Sequence, residues 1–219
     1  MTDARAAILA RLAGGPAAEP AAEPAAIAAE AAALLGRVAA TRPDRVRGAP
    51  DAAFLDRLAT PPIGGSGERI ASIDELPAAV GRYLAAHALP ARVALQPHPD
   101  LQRLDWSAIA THADIAADEP AAVGLAVGAI AETASLVFHS GPDCPTLFAF
   151  LPMHHIVAVR AETVWAWLED YCTATGATPP PRNVNLVTGP SGTTDIEGVL
   201  VRGAHGPGHL HVVMIGGTN

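Results

Sequence analysis

The chain has 219 residues and a formal charge of −8, and half of its residues are hydrophobic while only 4 % are aromatic. All 14 basic residues are arginine. The absence of lysine excludes Schiff-base chemistry and the phosphate-binding loop G-x-x-x-x-G-K-[ST], and the acidic balance argues against nucleic acid as a main partner. Two distant cysteines, Cys144 and Cys172, do not make a four-thiolate iron–sulfur cluster, a clustered zinc site or a disulfide framework. The longest apolar run, Ala121 to Ala131, falls well short of the ~20 residues of a membrane span, and Asp3, Arg5 and Arg11 interrupt the N-terminus as a leader. These features predict a soluble, cytoplasmic protein without a membrane partner.

In chain order, Ile8, Leu9 and Leu12 predict a short helix over Thr2 to Ala13. The repeat in GGPAAEPAAEPAA predicts an exposed linker, because its prolines break helices. Helical pieces are expected over Ala25 to Ala40 and Asp51 to Leu58, so that residues 1–60 form a helical arm and 61–219 an α/β domain. A turn-rich loop, PPIGGSGERI, opens that domain. A helix over Asp74 to His87 places Leu76, Val80 and Leu84 on one face, capped by Ser72 or Asp74. Strands are expected at Arg92–Leu95, Val123–Val127, Ala129–Glu132, Ser135–His139, His155–Arg160, Val184–Val187 and His211–Ile215. A helix is expected over Glu162 to Thr173, and a short one over Asp195 to Leu200. Alternating helices and strands give an α/β class with a largely parallel sheet.

The segment 184–217 carries the densest chemistry. A hydrophobic strand runs into Gly189, Pro190, Ser191, Gly192, Thr193 and Thr194. Such a turn offers hydroxyls and backbone N–H groups, and a following helix would add its positive end, which suits an anion. The same residues also suit an ordinary strand-to-helix turn capped by Ser191 or Thr193. Asp195 and Glu197 fit either acid/base work or the first turn of a helix, where carboxylates favour the dipole. His205, in the tight loop GAHGPG with Gly206, could act as a general base or simply bond to backbone. Glu132 sits between apolar pieces with Thr133 and Ser135 beside it, which points to a pocket. His209 and His211 share one face of a strand, but no carboxylate motif accompanies them, so no metal site is assigned. His154 and His155 point to opposite faces of theirs.

Taken in order, AIAETASLVF (129–138), LPMHHIVAV (151–159), TGPSGTTDIEGVLVRGAHGP (188–207) and LHVVMIG (210–216) resemble the lactate-utilization protein C family, or LUD domain. The resemblance is dense over about residues 120–219. It implies a Rossmann-like α/β core similar to the phosphosugar isomerase and CoA-transferase superfamily. It also implies a part in bacterial oxidation of L-lactate to pyruvate beside iron–sulfur partner subunits, with no cofactor in this chain. Two departures stand out. The family's Gly-Thr after Ala-Glu-Thr is Ala134-Ser135, and the family's Arg before the LLP element is absent from GPDCPTLFAFLP. The reading that follows is an accessory or regulatory subunit of L-lactate oxidation that binds a small anionic ligand at the 188–197 turn. Glu132, His205 and Asp195 are the candidate proton-handling groups. Thr133, Gly189 to Thr194, Glu197 and Gly206 are the candidate ligand contacts. The alternatives are a stand-alone isomerase- or acyl-transferase-type enzyme using Glu132, and an interaction module with a relic pocket.

Overall fold

The computed structural model describes residues 5, 8, 9, 11, 23–37, 42–176, 179, 181–194 and 198–217. It divides the chain into two compact units, Met1–Pro43 and Asp44–Asn219. In the first unit Arg5, Ile8, Leu9 and Arg11 are helical, and α1 spans Pro24–Leu35. Proline is tolerated at the start of α1 because the first N–H groups of a helix have no intrahelical partner. Ile27 and Leu34 of α1 are exposed. Most of the AAEP repeat lies outside the described residues.

The second unit opens with α2 (Pro50–Leu58), which the sequence reading assigns to the arm. Phe54 and Leu58 of α2 are fully buried in the core of this unit, together with Val212 and Met214. The elements that follow are β1 (Ser66–Ile70), α3 (Leu76–Ala86), β2 (Arg92–Leu95), α4 (Pro99–Gln102), β3 (Ala110–His112), β4 (Ala121–Leu125), β5 (Gly128–Ile130) and β6 (Ser135–His139). Then come β7 (His154–Arg160), β8 (Val164–Trp165), α5 (Leu168–Thr175), β9 (Val184–Thr188), β10 (Gly192–Thr193), β11 (Val201–Arg202) and β12 (His209–Ile215). Among the described residues no helix is long and apolar enough to cross a membrane.

Six strands form a wholly parallel sheet in the order β1-β12-β7-β4-β2-β3. Its central strand β4, AAVGL, is buried at every position, as a sheet covered on both faces requires. Period-two alternation sorts β7 into two faces. Ile156 and Ala158 face a core completed by Leu76, Val80 and Leu84 of α3, while Val157 and Val159 face the core that holds α2. Helix α3 matches its sequence reading: the hydroxyl of Ser72 accepts the N–H of Asp74, and its three leucine and valine anchors are buried. Each such anchor contributes about 1.5–3 kcal/mol relative to exposure.

A second sheet, β8-β5-β6-β9, supplies the rest of that second core. Here β5 runs antiparallel to β6 and β6 antiparallel to β9, while β8 pairs parallel with β5. The helix expected over Glu162 to Thr173 is corrected by this pairing. Val164 and Trp165 are claimed by Ala129 and Ile130 as strand partners, so α5 begins only at Leu168. Tyr171 of α5 then packs with Ile130 and Val137.

Candidate functional site

The motif around Glu132 and the motif around Gly189 meet through β6 and β9. These strands pair with Ser135 opposite Thr188. The Ser135 and Thr188 hydroxyls are 2.5 Å apart, and the Thr133 hydroxyl is 2.7 Å from that of Ser135. Because the strands are antiparallel, the turn before β6 and the turn after β9 lie at the same end of the sheet. The first turn closes at Ala134, whose φ of 55° is left-handed backbone that costs a non-glycine residue about 1–2 kcal/mol. Glu132 is half-buried, and its N–H donates to the carbonyl of Ala166 at 3.0 Å. Among the described residues its carboxylate has no hydrogen-bond or ion-pair partner.

After β9 the chain turns at Gly189, with φ of 69°. A Cβ there would stand 2.6 Å from the carbonyl oxygen of Ile63, so glycine lets this turn press against the loop before β1. Ser191 is then fixed from both sides. Its N–H donates to Pro207 O at 2.7 Å, and its carbonyl accepts from the N–H of Gly203 at 3.1 Å. Gly206 sits directly beneath it, since a Cβ on Gly206 would lie 3.1 Å from Ser191 Cβ and 3.4 Å from Ser191 Oγ. The Ser191 hydroxyl itself makes no hydrogen bond to a described residue.

The helix expected over Asp195 to Leu200 is corrected in its described part: Gly198 lies in a turn, and Val199 and Leu200 are in neither helix nor strand. Gly192 and Thr193 pair instead with Arg202 and Val201 as the β10–β11 hairpin. Among the described residues, the 189–194 turn is followed by no helix N-terminus. Its backbone donors are also fewer than the sequence suggests: Pro190 has no N–H, and that of Ser191 is spent on Pro207. Asp195 and Glu197 lie outside the described residues. Thr194 is exposed and Thr193 half-buried.

His205 is exposed and lines, with Gly206, a cavity of about 430 Å³ whose other walls include Glu119, Phe150 and Met153. This cavity opens at the amino-terminal ends of β4, β7 and β12, opposite to the strand ends where open α/β sheets usually bind ligands. The structure thus groups Ser191, Gly192, Thr193, His205 and Gly206 in one hairpin and loop, and joins Thr133 to the start of the same turn through Ser135 and Thr188.

Sequence reasoning missed Arg202. It stands opposite Gly192 in the hairpin, close to Gly64, and has no carboxylate partner among the described residues. It supplies a cation at the turn where the segment 141–152 supplies none. The available signal was its being the single arginine in the 188–207 motif.

Comparison with known proteins places these elements in a family. The LUD domain model matches residues 100–215. Lactate utilization protein C of Deinococcus radiodurans is 31 % identical over 108 residues, covering 48 % of this chain and 50 % of that protein. The protein of the same name from Anoxybacillus flavithermus is 31 % identical over 112 residues, covering 49 % and 51 %. The chain spans about half the length of the curated relatives it matches. The crystal structure of a DUF162 family protein from Deinococcus radiodurans shares the fold with a TM-score of 0.56 and 20 % identity, over 76 % of this chain and 96 % of that one. With more than half of its length matched by the domain model and the motifs in order, the chain belongs to the LUD domain family.

Proposed function

We propose that this chain serves lactate utilization as an accessory or regulatory subunit of L-lactate oxidation to pyruvate, and that it binds a small anion between the 188–194 turn and the 203–207 loop. The setting is supported by relatives named lactate utilization protein C. The observation that carries the site is Ser191, whose backbone is bonded on both sides while its hydroxyl is unspent among the described residues, with Arg202 opposite the next residue. A carboxylate there would accept the hydroxyl hydrogen bond and a charge-assisted bond from the guanidinium. His205, beside the Gly206 that lies against Ser191, and Glu132 are the groups of the motif set that could take or give a proton. Oxidation of lactate releases two electrons, and the proposal assigns their transfer to iron–sulfur subunits that partner this chain.

Titration calorimetry of the purified chain with L-lactate and with pyruvate tests the reading. Ser191→Ala should weaken binding about 2- to 10-fold, the loss of one neutral hydrogen bond, and Arg202→Met should weaken it more. Absence of binding, or equal affinity in all three proteins, would overturn the ligand assignment. Co-purification without any iron–sulfur partner would overturn the accessory role. The carboxylate of Glu132, without a partner among the described residues, favours a second reading, a stand-alone isomerase or acyl-transferase. Turnover of a sugar phosphate or acyl-CoA that is lost in Glu132→Gln would replace the first reading with this one.

A further inference from the structure

Four of the nine histidines gather around Tyr83 at the amino-terminal ends of β7 and β12. His154 and His209 are the first residues of those strands and stand in register, their rings stacked 4.2 Å apart at 9°. Tyr83 of α3 places its hydroxyl 2.9 Å from His154 Nδ1 and stacks on His211 and His87. Burial raises the Tyr83 phenol to about 12, so it stays protonated. His87 donates its Nδ1–H to the Tyr83 carbonyl at 2.9 Å, which leaves the lone pair on Nε2. Its ring lies 5.4 Å from that of His154 and 6.2 Å from that of His209. His87 and His209 are exposed, so the cluster is open to solvent.

The charges around it are lopsided. From β1, Ser66 bonds His211 Nδ1 at 2.8 Å and Glu68 approaches His211 Nε2 at 3.4 Å. Glu68 is also held by Arg82 of α3 at 2.6 Å. It is the one carboxylate in contact with the cluster among the described residues. Arg202 of β11 adds repulsion at His209. Burial first, then the charges of His209 and His87, bring His154 down to about 4, and burial leads the lowering at His209 and His211. A proton on His154 or His209 therefore meets like charge, and among the described residues no free carboxylate faces it, since Glu68 is already held by Arg82. Metal binding is the poorer use of these rings, since parallel stacked rings aim their lone pairs along parallel lines. Among the described residues no three His, Cys, Asp or Glu side chains are placed to hold a metal ion.

We infer that the His87–His154–His209 cluster is a second anion site, taking a compact oxyanion, and that the anion enters together with protons on these imidazoles. The missing element of the cluster is a negative charge, and an arriving carboxylate or phosphate supplies it. Binding and protonation then reinforce each other, because whatever raises affinity for one ligand raises it equally for the other. The inference does not require an anion at Ser191.

The test uses the full chain with inorganic phosphate and with L-lactate as separate probes, titrated in two buffers of different ionisation heat. At about pH 6 the anion that binds should do so about tenfold or more tightly than at about pH 8, with net proton uptake. Phosphate binding without lactate binding would identify a phosphate site, and the reverse a carboxylate site. In either case the ring nitrogen resonances of His154 and His209 should move towards the imidazolium position. His209→Gln should remove the proton uptake, and His87→Gln, at an exposed position, should reduce it if the first variant folds poorly. Binding without proton uptake, unmoved ring resonances, or no binding of either anion would overturn the inference. An anion held only at Ser191 would leave the rings unmoved, so failure here is separable from failure of the Ser191 reading.

Discussion

Ser135 and Thr188 face each other across β6 and β9 with their hydroxyls 2.5 Å apart, and this pair binds two motifs 53 positions apart in sequence. With Thr133 it forms a chain of three hydroxyls that runs from the turn after Glu132 to the residue before Gly189. The position of Ser191 relative to Glu132 therefore depends on a small polar zipper at a buried serine.

Ser135→Ala removes both bonds of that serine. The expected loss is about 1–3 kcal/mol of unfolding free energy, at about 0.5–1.5 kcal/mol for each bond. Combined with Thr188→Val it should show a coupling of about 0.5–1.5 kcal/mol in a double-mutant cycle by urea denaturation. Additive losses would mean that the two hydroxyls do not act together.

Ala134 has a left-handed φ of 55°, backbone that favours glycine. Ala134→Gly relieves about 1–2 kcal/mol of backbone strain. It also removes a methyl group that is fully buried in the second core, worth about 0.8 kcal/mol, and frees the unfolded chain by about 0.5–1 kcal/mol. The expected net change is within about 1 kcal/mol of zero. Ala134→Val should instead cost more than about 2 kcal/mol, since a branched side chain strains this backbone further and overpacks the core. Thermal or urea unfolding of the two variants checks both values.

Much of this architecture was legible because the elements carry local signals. Leu76, Val80 and Leu84 mark α3 by helical spacing, and Ser72 marks its start. The strand β6 is bounded as read, and His154 and His155 do face opposite sides of β7. What escaped depends on partners far along the chain. Val164 and Trp165 fit a helix by themselves and become a strand only beside Ala129 and Ile130. The run from Gly189 to Leu200 reads as a strand-to-helix turn until Val201 and Arg202 return to pair with Thr193 and Gly192. The ring cluster around Tyr83 has no local pattern at all, because α3, β7 and β12 each bring a part.

At the carboxyl end of the sheet, Arg69 Nη1 is 2.8 Å from both Asp51 Oδ2 and the carbonyl of Gly216. Both side chains are mostly buried. Gly217 lies against this pair with φ of 85°, and a Cβ there would collide with Arg69 Nη1 and Asp51 Oδ2. Arg69→Met leaves a buried carboxylate unpaired and should cost about 3 kcal/mol. Gly217→Ala should disrupt the same contact, so the double variant should lose less than the two single losses added together. Strict additivity in urea unfolding would separate the glycine from the ion pair.

His155 is fully buried on the other face of β7, stacked on Phe138, and neither ring nitrogen has a hydrogen-bond partner among the described residues. A Cβ on Gly124 would lie 3.1 Å from its Nε2, so the glycine makes room for the ring. Burial pushes this imidazole down to about 3. In the unfolded chain it titrates near 6.5, so between these limits the unfolded state binds a proton that the native state refuses. Stability contributed by the neutral ring is complete above the upper limit and is lost progressively as pH falls towards the lower one. His155→Leu removes the titrating group while filling similar space, and it leaves no unpartnered polar atom at the site. At neutral pH the variant should therefore match or exceed the wild type in unfolding free energy. On acidification below about pH 6 its stability should fall less steeply, because His154 remains to titrate but His155 does not. Urea unfolding across this range is the measurement. Parallel acid limbs for the two proteins would show that His155 is protonated or solvated in the native state.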